Sequence, residues 1–123
     1  MEQLILHLVG DYITQTDWMA KNKRSRWGVA LLHAYIYSLP FLLIGSQKAF
    51  WAILITHWII DRLGIARYVV YAKNWATNPS LKWVDCSKTG YPDSDPAWLT
   101  VWLLIIADNT LHLSINFLAL KYL

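Results

Sequence analysis

Apolar residues dominate four stretches of the chain, about 2–20, 27–46, 49–70 and 97–120, and each is long enough to read as a helix. Polar residues interrupt them at helical spacing. In the first stretch His7, Asp11 and Gln15 stand four apart, so a helix puts them in one stripe. His57 and Asp61 repeat the spacing in the third stretch, and Asp108, His112 and Asn116 in the fourth. The second carries one histidine, His33, with Tyr35 and Tyr37 nearby and Pro40 as an expected kink. Gly10 permits close backbone approach beside Asp11. Between the third and fourth stretches lies a loop, about 74–96, and residues 76–96 break every periodicity. Asn78-Pro79, Thr89-Gly90, Tyr91-Pro92 and Asp95-Pro96 are turn signals, and Pro96 suits the start of the last helix.

Composition turns this pattern toward a membrane. The chain has 123 residues, 56% hydrophobic and only 15% charged, with eight tryptophans. A soluble domain carries about 25% charged residues. So short a chain has too little interior to hide so many apolar side chains, which weighs against a soluble helical protein. The expected fold is all-α: a polytopic membrane protein, a four-helix transmembrane bundle forming one domain over 1–123. The opening residues lack the basic region of a cleaved signal peptide, and Asp11 interrupts the apolar run. A single cysteine, Cys86, excludes an internal disulfide and a cysteine-rich metal site.

The net charge of +3 bears on topology rather than on nucleic acid. Lys21, Lys23, Arg24, Arg26, Arg62, Arg67, Lys73, Lys82 and Lys88 fall in the two larger loops, against Lys48 and Lys121 on the other side. The excess of positive residues predicts a multi-pass protein of a bacterial inner membrane with both termini outside and the 74–96 loop in the cytoplasm. Residues 62–75 then read as an amphipathic extension at that surface, with Tyr68, Tyr71 and Trp75 as anchors.

Direction sharpens the polar pattern. Stretches one and three run inward and read His then Asp; stretch four runs outward and reads Asp then His. Each Asp therefore lies on the cytoplasmic side of its His, about 6 Å away in depth. Carboxylates within a membrane must be paired, protonated or metal-bound. Imidazole nitrogen and carboxylate oxygen suit a divalent ion: zinc first, with manganese or iron as alternatives. The expected metal ligands are His7, Asp11, His33, His57, Asp61, Asp108 and His112, and the expected catalytic carboxylates are Asp11, Asp61 and Asp108. Gln15, Asn109 and Asn116 are candidates to orient ligands or water. The competing readings are a structural polar core and a path for protons or ions. Either of Tyr35 and Tyr37 could satisfy His33, and His7 could be solvated. Asp17, Asp93 and Asp95 read as solvated charges.

At these residues the chain resembles a family of small membrane proteins of bacteria and their phages, without an assigned activity, whose signature is His-x-x-x-Asp-x-x-x-Gln near the N-terminus. Here that is His7, Asp11 and Gln15, followed by Thr16-Asp17-Trp18-Met19-Ala20. A histidine in the second span matches His33, His-x-x-x-Asp in the third matches His57 and Asp61, and an Asp ahead of a His matches Asp108 and His112. More remotely the chain is similar to inner-membrane proteins described as metal-dependent hydrolases. The remote similarity implies a metal-dependent hydrolase, and for a site at this depth in the membrane the expected substrate is a lipid or lipid-linked phosphate. No Gly-x-Ser-x-Gly, phosphate-binding glycine loop or His-Glu-x-x-His supplies another chemistry. The alternatives are a non-enzymatic phage or host factor that binds an inner-membrane protein partner, and proton or ion translocation by a homo-oligomer.

Overall fold

The computed structural model describes residues 1–123, all-helical and without strands. The chain divides into two compact units, Met1–Leu63 with His112–Leu123, and Gly64–Leu111.

In the first unit α1 (Glu2–Leu8) passes directly into a π-helical turn, Val9–Ile13. Thr14 N donates to Val9 O at 2.9 Å, the wide turn's own bond. The expected continuous helix over 2–20 ends there. Thr14 Oγ1 and Gln15 Nε2 donate to the backbone carbonyls of Gly10 and Asp11. Thr16 then starts α2 (Asp17–Asn22): its hydroxyl accepts from Met19 N, with Asp17 in the first turn. From Glu2 to Ile13 the helical run reaches only about 18 Å, short of a hydrocarbon core of about 30 Å.

Helix α3 (Trp27–Ser38) tightens into a 3₁₀ segment, Leu39–Leu43, as Pro40 removes a donor. Helix α4 (Gln47–Leu63) stops short of the expected 70. Gly64 adopts φ 61°, ψ 49°, the left-handed conformation that closes a helix. Tyr37, Phe41, Ala49, Ile53 and Ala119 form the apolar core, with Leu6, Ala52 and Leu120 against it. Gly10 is required here, because a Cβ on it would overlap the Tyr37 ring.

The second unit holds α5 (Ile65–Thr77), the short α6 (Trp83–Cys86) and the first part of α7 (Ala97–Tyr122). The 74–96 stretch is thus partly helical, and its turns are tied down. Asn74 donates to Gly90 O, Tyr71 to Leu81 O and Arg67 to Ser87 O. Gly90, at φ 85°, passes so close to the α5 backbone that no Cβ fits.

Helix α7 matches the expected last segment. It is the one helix long and apolar enough to cross a bilayer alone, and only 17% of its apolar window is buried. Helices α4 and α5 meet that criterion only together, as one broken span, while Trp27–Leu43 is a shorter apolar helix.

Candidate metal centre

Five polar side chains converge inside the first unit, and the local structure of each explains its aim. Asp11 comes from the π-helical turn, where one extra residue per turn re-aims the chain. His33 sits in the middle of α3. On α4, His57 and Asp61 are one turn apart on the same face, with Nε2 and Oδ2 3.2 Å apart. His112 comes from α7. All five are buried.

The centre is a pair of facing imidazoles. His33 Nε2 and His57 Nε2 are 3.0 Å apart. Asp11 Oδ1 lies 3.1 Å from the first and 3.4 Å from the second. Asp61 Oδ2 lies 3.2 Å from each. Ligands held tetrahedrally at about 2.0–2.1 Å from a metal stand about 3.3 Å apart. The triangle of Asp11 Oδ1, His33 Nε2 and His57 Nε2 therefore has the dimensions of one face of such a site. Asp11, His33 and His57 form one group able to hold a metal ion, and His57, Asp61 and His112 a second.

Each carboxylate has a second oxygen turned to a further histidine. Asp11 Oδ2 is 3.4 Å from His7 Nδ1, and Asp61 Oδ1 is 3.5 Å from His112 Nε2. His7 is fully buried rather than solvated, and its Nδ1 also lies 2.8 Å from the Tyr37 hydroxyl. That hydroxyl accepts from Asn116 Nδ2 at 2.6 Å. Tyr37 thus serves His7, not His33. Its ring stacks on His57 at 3.7 Å between centroids, and His112 lies 4.1 Å from the other member of that stack. The Nδ1 atoms of His33 and His57 are buried and have no hydrogen-bond partner.

Two residues of the centre had no signal in the polar stripes. Lys23, in the basic turn after α2, places Nζ 2.8 Å from Asp61 Oδ2. Tyr37 looks like an ordinary aromatic of an apolar helix. Gln15 belongs to the N-terminal stripe but bonds the Asp11 backbone rather than its carboxylate. Asp108 and Asn109 fall in the second unit, and neither belongs to the two metal-capable groups.

With neutral imidazoles, two carboxylates and one ammonium leave a single net negative charge in a buried site. One imidazolium balances it, while a divalent cation balances the two carboxylates only without the ammonium. Chemically the arrangement can hold one divalent ion on nitrogen and oxygen ligands, or share a proton between the facing histidines.

No curated protein and no solved structure matches the chain. A family model described as "Protein of unknown function (DUF3307)" matches residues 1–122, and the chain belongs to that family.

Proposed function

We propose that this chain is a divalent-metal protein of a bacterial inner membrane that hydrolyses a phosphate ester of a lipid or lipid-linked substrate. The observation that carries the metal reading is the facing pair of His33 and His57, 3.0 Å apart at Nε2 and flanked by Asp11 and Asp61 oxygens at 3.1–3.4 Å. Buried imidazoles and carboxylates in this spacing favour zinc, then manganese or iron. The charge count favours one ion over two.

A divalent ion held there would supply Lewis acidity toward a phosphoryl oxygen. His33, His57 and Asp11 would hold it. Asp61 is placed to take a proton from water, and its Oδ1 faces His112 Nε2, which can take that proton onward. Asp11 Oδ2 stands in the same relation to His7.

Membrane residence is supported by α7, about 39 Å long, whose apolar window is mostly exposed. Trp98, Trp102, Ile106 and Phe117 are among its exposed side chains. In this reading α1, α3 and α4 are also embedded, and the Lys21–Arg26 turn faces the cytoplasm.

Elemental analysis of protein purified in mild detergent without chelator tests the metal reading. About one zinc, manganese or iron per chain is expected, since a structural metal site binds the folded state. Absence of metal, even after incubation with zinc, would overturn it. Release of phosphate from a short-chain phosphatidic acid, lost in Asp61→Asn, tests the hydrolytic step. A second reading is favoured by the Lys23–Asp61 ion pair, which already balances one carboxylate. There the centre is a metal-free polar core, and the same elemental analysis separates the two.

A further inference from the structure

Lys23 is the one member of the centre drawn from a loop. Residue 23 caps α2, in the turn that carries Lys21, Arg24 and Arg26. Its side chain is 17% exposed whereas that of Asp61 is 3% exposed, so the ammonium stands at the edge of the cluster, between the buried ligands and the surface. The neighbouring basic groups have other work. Lys21 pairs with Asp17 at 2.8 Å on the exposed side of α2. Arg62 donates to Arg24 O at 2.6 Å and lies over the Trp27 ring at 4.6 Å.

The oxygen that Lys23 holds is contested. Asp61 Oδ2 has the ammonium at 2.8 Å and both facing imidazole nitrogens at 3.2 Å. A divalent ion among those nitrogens would meet the ammonium across one carboxylate oxygen. Two adjacent cations in a buried site repel strongly, and one of them is mobile. An ammonium on a flexible four-carbon stem is strongly hydrated in water and swings out readily. Asp61, fixed on α4, cannot follow it.

We propose that Lys23 is an exchangeable counter-cation of the centre, holding Asp61 charge-balanced until a divalent ion takes its place and releases the ammonium toward the surface. This rests on the metal reading above. It adds that Asp61 is already paired in the apo centre, that metal competes with a residue of the chain itself, and that the loaded centre carries a freed cation at its mouth. That cation suits the anionic headgroup of a phosphate-bearing substrate.

The test uses the full chain in detergent, with zinc as the probe. Amine acylation is followed residue by residue by mass spectrometry, with and without saturating zinc. Zinc should speed acylation of Lys23 by about tenfold and leave Lys21 unchanged, because Lys21 is already at the surface. In parallel, Lys23→Gln should bind zinc about tenfold more tightly than the wild type, with Lys21→Gln unchanged. Unchanged acylation of Lys23 in protein that does bind zinc would overturn the inference and leave the metal reading standing. Equal zinc affinity of folded Lys23→Gln and wild type would do the same. If Lys23→Gln does not fold, acylation of the wild type decides. A wild type that binds no zinc would remove both readings together.

Discussion

The two units treat charge in opposite ways. In the first, Asp11, His33, His57, Asp61 and His112 are turned inward and meet each other. In the second, the cations are turned outward onto rings and backbone oxygens. Arg67 lies 4.8 Å over Tyr68 and donates to Ser87 O. Tyr68 stacks on Trp83, Lys73 reaches the Tyr91 hydroxyl, and Lys88 pairs with Asp93 in the open. The exposed contacts of Lys73 and Lys88 contribute little one at a time, because water competes for each partner. Inside the first unit water does not compete, so each group depends on its neighbours. The difference separates a unit that fastens turns from one whose charged groups meet in its interior.

Truncation is the strongest way to break that comparison. Asp61→Ala leaves Lys23 and two imidazoles without their shared carboxylate, and should lower stability by about 3–5 kcal/mol, read by thermal unfolding in detergent. It should also weaken zinc binding, because Asp61 Oδ2 adjoins both facing imidazole nitrogens. A loss as small as that of a surface variant would erase the distinction between the units. Tyr37→Phe keeps the ring on His57 but removes the hydroxyl between His7 and Asn116, at an expected cost of about 1–3 kcal/mol. Gly64→Ala forces a side chain into a left-handed turn and should cost about 1–2 kcal/mol without touching metal affinity. In the second unit, Arg67→Ala should cost no more than about 1 kcal/mol and also leave metal content unchanged. The smallest effect belongs to Lys88→Ala, at about 0.5 kcal/mol or less in the same assay.

The sequence carried the helical class and most of the centre's membership in one signal: polar pairs four apart whose order reverses when the chain reverses. That signal names Asp11, His57, Asp61 and His112, because helical spacing converts directly into a shared face. Asp108 shares the stripe with His112, and the compact units divide between Leu111 and His112. Lys23 was illegible because its role depends on a loop returning to a residue 38 positions later. Tyr37 was legible as a partner for His33, but its actual partners, His7 and Asn116, were not, because they lie on other helices.

Segment lengths were read less well than segment types. Thr16-Asp17 is a helix-start signal inside the first apolar stretch, and Gly64 a helix-stop signal inside the third. Apolar composition runs across both, so hydropathy alone joins what capping separates. One helix, α7, meets the length of a bilayer unaided, where composition alone suggested four. The π-helical turn at Asp11 likewise has no spacing of its own in the sequence, yet it sets where that carboxylate points.

The central claim is that the facing histidines form a metal site, and anomalous scattering from crystals grown with zinc and without chelator tests it most directly. One peak is expected at about 2.0–2.2 Å from His33 Nε2, His57 Nε2 and an Asp11 oxygen. Zinc-grown crystals with no peak there, and with the two imidazole nitrogens still 3.0 Å apart and Lys23 still on Asp61, would contradict it.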